Sequence, residues 1–138
     1  MSRKALYDEL TRDFTIALGK QESKKQREAN GAKKASQTYG EIEFESISLA
    51  IKWIQATQKD GEFSGWHNAF NLPGGKFMDL GHGTGKVVLS AALMHPFAQS
   101  SGIELFETLY TVSCDLKQIY ADFLTATSDE TYLERFSW

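Results

Sequence analysis

A ten-residue stretch in the middle of the chain, Phe77–Lys86, constrains the fold more than any other part of the sequence. It begins with an apolar segment, reaches Asp79, and continues with glycines at three alternate positions, which are Gly81, Gly83 and Gly85. Glycine lacks a Cβ, so it permits a tight turn and lets a ligand approach the backbone closely. The pattern therefore predicts a strand over about 76–80, a ligand-binding turn, and a helix directly after it.

The segments after this turn alternate between helix and strand. A helical pattern covers about 85–94, and His95-Pro96 ends it because the residue before a proline is kept out of the helical region. A second short strand is predicted over about 100–104 and a further helix over about 105–123. The predicted apolar face of that helix consists of Leu109, Val112, Leu116 and Ile119. This alternation implies parallel strands joined by right-handed crossovers.

Two amphipathic patterns precede the turn. Residues 2–18 carry an apolar residue at every fourth position, which predicts one stripe of a single helix formed by Leu6, Leu10, Phe14 and Leu18. A second helix is predicted over about 42–58, with Trp53 off an apolar stripe formed by Phe44, Ile47, Ile51 and Ile54. The glycine-rich segment 61–75 is predicted to be a loop, and the tail 125–138 is weakly patterned.

The segment 20–34 is basic and nearly free of apolar residues. It contains six lysines and arginines, against two glutamates. Such a segment is typical of a solvated helix or a disordered connector. The alternative is a basic arm that contacts DNA phosphates or an acidic partner surface.

Length and composition indicate a globular protein with one core. The chain has 138 residues and a net charge of -3, which argues against nucleic-acid binding over its whole surface. The single cysteine, Cys114, excludes an internal disulfide and suits a reducing compartment. No apolar run reaches the roughly 20 residues of a membrane helix and no signal core follows the N-terminus, so an intracellular location is expected. The three histidines lack metal-ligand spacing, so no metal site is expected.

Two common nucleotide-binding patterns do not fit the turn. A P-loop ending in Gly85-Lys86 needs a glycine where the chain has Leu80 and a hydroxyl where it has Val87. A dinucleotide-binding turn needs its third glycine where the chain has Lys86. The observed pattern is Asp-x-Gly-x-Gly-x-Gly, which resembles motif I of class I S-adenosylmethionine-dependent methyltransferases. In that family the glycine turn lets the backbone pass the methionine part of the cofactor.

An acidic residue at the end of the next strand completes the resemblance. Glu104 lies 19 residues after Gly85, where an acid can accept hydrogen bonds from both ribose hydroxyls of a bound nucleoside. The resemblance implies that Asp79 orders the glycine turn or contacts the amino group of the cofactor. Cys114 lies in the middle of a predicted helix and is interpreted as a packing residue.

An upstream tripeptide narrows the family. Tyr39-Gly40-Glu41, with Phe44 three residues later, is similar to the cofactor-binding loop of the DOT1 histone-lysine methyltransferases. That loop closes on S-adenosylmethionine from outside the central sheet. The resemblance covers about 38–120 and implies an α/β chain with N-terminal helices and a partial Rossmann-like methyltransferase fold. It divides the chain into an N-terminal helical, partly basic segment, 1–37, and a partial cofactor-binding domain, 38–138.

The chain departs from the DOT1 pattern at several positions. Lys86 and Leu105 stand where DOT1 enzymes often have glutamine and lysine, and His82 replaces a small residue. Asp122-Phe123 lies too close to Glu104 to be the adenine-reading pair of the family, so Phe123 is interpreted as a packing residue. The Asn-rich motif of the methyl-transfer channel is missing, so no catalytic residue is assigned and the fold is expected to be truncated after its second strand-helix unit.

The resemblance implies an S-adenosylmethionine-dependent protein-lysine methyltransferase. Its expected substrate is histone H3 in a nucleosome, and its expected location is the nucleus. The cofactor-binding residues implied by the resemblance are Tyr39, Glu41, Asp79, Gly81, Gly83, Gly85 and Glu104. Two alternatives remain: a methyltransferase for a non-histone protein, and a non-catalytic remnant that binds the cofactor or a partner.

Overall fold

The computed structural model describes residues 2–31, 39–59 and 73–127. These residues form five helices and two strands. In chain order the elements are α1 (Arg3–Leu10), α2 (Ile16–Ala29), α3 (Phe44–Lys59), β1 (Lys76–Leu80), α4 (Lys86–Met94), β2 (Gln99–Ile103) and α5 (Glu107–Ala126). The part of the chain described is therefore of the mixed α/β class.

The two strands are parallel neighbours, as the alternation of strand and helix predicted. Lys76 is in register with Gln99 and Leu80 with Ile103, so both strands end at the same edge of the sheet. Helix α4 connects them and packs against both. It ends at Met94, and the next residue, His95, has an extended backbone (φ -143°, ψ 139°), as expected for a residue before proline.

The core surrounds α4. Val88 and Leu89 are completely buried, and apolar residues of α1, α3 and α5 pack around them in one cluster. The rings of Tyr7 and Phe44, 4.9 Å apart, connect α1 to α3. The predicted helix over 42–58 is confirmed as α3, in which Phe44 and Ile51 are buried while Trp53 is exposed. The turn is thus attached to a helix that is held from several sides.

The prediction of one helix over 2–18 is wrong. Helix α1 ends at Leu10 and α2 begins after Thr15. The hydroxyl of Thr11 donates to the carbonyl of Tyr7, and the hydroxyl of Thr15 accepts a hydrogen bond from the Leu18 amide. Threonine side chains compete with the backbone in this way, so they cap helices and separate them. The apolar spacing did not reveal this break.

The predicted apolar face of α5 is also partly wrong. Ile119 is exposed, whereas the buried ridge of the helix consists of Leu109, Ser113, Leu116, Tyr120 and Leu124. Both sets follow helical spacing, but the true ridge includes a serine and a tyrosine and was therefore not recognised as apolar. The helix also extends to Ala126, three residues beyond its predicted end.

Several predictions fall wholly or mainly outside the described residues. These are most of the loop over 61–75, the end of the basic segment, the boundary at 37/38 and the tail after Thr127. The division into two domains stays a prediction. Among the described residues, no helix is long and apolar enough to cross a membrane.

Candidate functional site

The glycine turn adopts a backbone that other residues rarely tolerate. Gly81, Gly83 and Gly85 have φ values of 84°, 58° and 85°. The amides of Gly81 and His82 donate to the carbonyl of Ile103, at 2.7 and 3.3 Å, which ties the turn to the end of β2. All three positions therefore favour glycine for conformational reasons, before any ligand is considered.

Glu104 supports this turn with both carboxylate oxygens. Its Oε2 accepts a hydrogen bond from the amide of Gly83, and its Oε1 accepts one from the amide of Phe106, both at 2.8 Å. A carboxylate has about four acceptor sites, so each oxygen retains a lone pair for another donor. Glu104 thus links the turn to the start of α5, and it can still accept hydrogen bonds from the hydroxyl groups of a ligand.

Tyr39 lies directly on the glycine turn. Its hydroxyl contacts Glu41 Oε1 at 2.5 Å and Thr84 Oγ1 at 2.9 Å. A Cβ built on Gly83 would lie 2.6 Å from the Tyr39 ring, and one built on Gly19 of α2 would lie 2.2 Å from it. The ring is therefore held between two glycines that leave room for it. Burial is the main cause that raises the pKa of Tyr39, and the hydrogen bond to Glu41 raises it further.

Lys86 holds Glu41 from the opposite side. Its Nζ lies 2.9 Å from Glu41 Oε2, and the two side chains are only 12% and 15% exposed. Lys86 is the first residue of α4, where the partial positive charge of the helix dipole disfavours a cation. The negative carboxylate of Glu41 compensates for the charge of Lys86 and for that of the helix end. The departure of Lys86 from the DOT1 pattern was visible in the sequence, but its partner was not.

Asp79 and His82 lie on either side of the end of β1. Burial raises the pKa of Asp79, and the charge of Glu104 raises it further, while His82 lowers it. His82 is buried against Gly102, where a Cβ would lie 2.5 Å from the imidazole ring. Burial lowers the pKa of His82, and this effect is opposed by the negative charges of Glu104 and Asp79. The neutral imidazole is therefore favoured at this position.

An open cleft of about 310 Å³ borders the turn. Its lining residues are Ser23, Tyr39, Gly40, Gly81, Gly83, Glu104, Leu105, Phe106 and Leu109. Four of the seven residues predicted from the sequence are among them, whereas Glu41, Asp79 and Gly85 are not. Ser23 was missed because its segment was read only for its charge.

Two other predictions for side chains in α5 can be compared with the structure. Phe123 is half-buried and packs against the core cluster, as predicted, and Asp122 accepts a hydrogen bond from Gln118 at 2.8 Å. Cys114 is half-buried in the middle of the helix, and its hydrogen bond to Tyr110 raises the pKa of that tyrosine. Among the described residues, no group of three or more His, Cys, Asp or Glu side chains could hold a metal ion.

Together, the parallel strands, the glycine turn and the acid after β2 define an α/β protein with a glycine turn at the carboxyl ends of its strands, where α/β proteins commonly bind ligands. The sequence model of the family described as Histone methylation protein DOT1 matches residues 67–132. The resemblance to DOT1 is thereby confirmed over this part of the chain, which contains both strands, the turn, Glu104 and all of α5. The match supports a role in histone methylation. No curated protein and no solved structure matches the chain.

Proposed function

We propose that this chain is the S-adenosylmethionine-binding part of a DOT1-type protein-lysine methyltransferase. The observation that carries the proposal is the meeting of Tyr39, Gly83 and Glu104 at one cleft. Tyr39 lies outside the DOT1 match, in the tripeptide that resembles the cofactor loop of that family, whereas the other two lie within the match. Two independent sequence signals therefore converge on the same place.

The residues around the cleft fit such a cofactor. A Cβ on Gly81 would meet no atom within 4 Å, so the backbone at this position is open to a ligand. Glu104 keeps acceptor capacity for the two ribose hydroxyls. The ion pair of Lys86 with Glu41 holds the tripeptide on the turn, so Tyr39 can form one wall of the site.

When bound, S-adenosylmethionine supplies the activated methyl group, and the protein supplies orientation. A lysine has a pKa of about 10.4 in water, so its amine must lose a proton before it can accept a methyl group. We assign no described residue to that proton transfer. The substrate under this proposal is histone H3 in a nucleosome, and the location is the nucleus.

Calorimetry with the 138-residue chain tests the cofactor. We expect binding of S-adenosylmethionine or S-adenosylhomocysteine and no binding of ATP with magnesium or of NAD. Glu104→Ala should weaken the binding, since it removes the acceptor for the ribose. Binding of ATP with magnesium, or equal affinity of the wild type and Glu104→Ala with both folded, would contradict the proposed site.

The nucleosome is the proposed partner of the basic helix α2. Lys20, Lys24 and Lys25 are exposed, although Lys25 lies 2.5 Å from Glu22 and Lys24 lies 3.7 Å from Glu28. Lys20 is in neither pair, and the long, exposed pair of Lys24 leaves its ammonium accessible to phosphates. Binding to nucleosomes should weaken steeply with salt, and replacing these three lysines by glutamine should flatten that dependence. A complete lack of binding at low salt would contradict a nucleosome-binding role of the exposed face of α2.

A non-catalytic role is the second candidate, and one observation favours it. Met78, Leu80 and Ile103 are 59%, 76% and 57% exposed, so one face of the sheet is apolar and open to solvent in the part of the chain described. A parallel sheet is normally buried on both faces. A chain that binds the cofactor but transfers no methyl group, even as part of a longer polypeptide, would support this candidate over the enzyme.

A further inference from the structure

Helix α2 contributes a buried hydroxyl to the cleft. Ser23 is 0% exposed, and its Oγ has no hydrogen-bond partner among the residues that the structure describes. Ser23 nevertheless lines the same cleft as Gly81, Gly83 and Glu104. A buried polar atom without a partner destabilises a protein, so its presence at the wall of a site requires an explanation.

Two other serines that are completely buried among the described residues do have partners. Ser90 donates to the carbonyl of Lys86 at 2.8 Å, and Ser113 donates to the carbonyl of Tyr110 at 2.7 Å. Both use a carbonyl of their own helix, which is a solution open to any helical serine. Ser23 is also helical but does not use it, so its unsatisfied hydroxyl is specific to this position.

Helix α2 is anchored on both sides of Ser23. The hydroxyl of Thr108 donates to the carbonyl of Glu22 at 2.9 Å, and the amide of Thr108 donates to Gln26 Oε1 at 3.3 Å. One turn before Ser23, Gly19 packs against the ring of Tyr39. These contacts hold Ser23 close to the start of α5 and to the tripeptide that covers the turn.

We propose that Ser23 is a ligand-binding residue, whose hydroxyl forms a hydrogen bond with a polar group of the molecule that fills the cleft. The inference rests on the proposed function, under which that molecule is S-adenosylmethionine or its product. Helix α2 then forms a further wall of the site, beside the glycine turn, the tripeptide and the start of α5. The DOT1 model matches residues 67–132 and therefore does not include α2.

The alanine variants Ser23→Ala and Ser113→Ala, made in the full 138-residue chain, form a matched pair. S-adenosylhomocysteine is the probe, its Kd is measured by calorimetry, and the Tm is measured without it. Ser23→Ala should leave the Tm unchanged or raise it, because it removes an unsatisfied buried hydroxyl, and should weaken binding about fivefold to tenfold. Ser113→Ala should lower the Tm, because it removes a satisfied hydrogen bond, and should leave the Kd unchanged.

The outcomes separate this inference from the proposed function. If the wild type binds and Ser23→Ala binds equally well, Ser23 is not a ligand-binding residue, while the proposed function stands. If Ser23→Ala lowers the Tm or fails to fold, the hydroxyl is a structural group and the inference is wrong. If the wild type binds neither S-adenosylmethionine nor S-adenosylhomocysteine, the inference and the proposed cofactor fail together.

Discussion

Two regions of the two-stranded sheet formed by the described residues differ in their surroundings: the carboxyl end of the strands, where the glycine turn lies, and the face that carries the exposed side chains of Met78, Leu80 and Ile103. At the carboxyl end of the strands, polar groups are largely buried and paired: the Gly83 amide donates to Glu104, and Lys86 forms an ion pair with Glu41. On the open face, apolar side chains such as Leu80 are exposed. The described residues therefore complete the glycine turn but do not complete the sheet.

The alternation of side chains along β1 explains how these two environments can lie so close together. Phe77 and Asp79 are half-buried, whereas Met78 and Leu80 between and after them are exposed. Successive residues of a strand point to opposite faces, so one strand can serve a packed face and an open one. The turn itself is held by hydrogen bonds to the carbonyl of Ile103 and to the carboxylate of Glu104.

The largest effect that we expect is a complete absence of turnover by the 138-residue chain alone. With one sheet face open in the described residues, we expect no channel that orients a lysine amine. The measurement is transfer of a labelled methyl group to nucleosomes, free histones and cell extract. Methyl transfer by the wild-type chain that is abolished by Glu104→Ala would contradict this expectation, because it would show that catalysis does not require the open face to be covered.

Removing the carboxylate at the turn should have the next largest effect. Glu104→Ala leaves the amides of Gly83 and Phe106 without their acceptor, so we expect a loss of about 1.5–3 kcal/mol in the free energy of unfolding. Denaturation by urea measures it. Asp122→Ala is the control, because this exposed carboxylate bonds only to Gln118 among the described residues, and a change within about 0.5 kcal/mol is expected. Equal effects of both variants would show that the turn does not depend on Glu104.

Two glycines of the turn should differ in their cost of substitution. Gly81→Ala introduces only the strain of a positive φ, on the order of 1–2 kcal/mol. Gly83→Ala adds a clash with the Tyr39 ring, so we expect it to lose about 1 kcal/mol more. The same pair made in a Tyr39→Ala background is the control, and there the difference should shrink. A difference that persists without the ring would place its cause elsewhere in the turn.

The smallest effect should be a pH dependence of stability from His82. Its pKa is lowered from 6.5 in the folded state, so the unfolded chain binds the proton more readily. The contribution of the neutral His82 to the free energy of unfolding is therefore fully present above about pH 6.5. It is lost as the pH falls from there through the lower pKa that His82 has in the folded state. Asp79 acts in the opposite sense at lower pH, because its pKa is raised from 3.8.

Urea denaturation between about pH 5 and 8 measures this effect, with His82→Asn as the comparison. The asparagine variant should show a flatter curve than the wild type over this range. Asp79→Asn is the control for the neighbouring carboxylate. Identical curves for the wild type and His82→Asn would mean that the imidazole does not titrate differently in the folded state.

The elements around the turn were predictable because their signals are local. The strand over 76–80 was predicted with its observed bounds, and the helix over 85–94 begins one residue later than expected. Glycine sterics, strand alternation and the proline after His95 act within a few residues. The end of α1 was missed although its signal is also local, because a repeated apolar spacing outweighed the capping threonines.

The chain sequence alone was enough to specify the turn, the acid that follows it and the family that these residues resemble, because each depends on neighbours along the chain. Tertiary packing decided which distant groups surround the turn. Tyr39 and Glu41 reach Thr84 and Lys86 across 45 residues, and Ser23 joins the cleft from a segment that reads only as charged. Periodicity and spacing contain no information on such encounters, which arise from the way whole helices pack against the sheet.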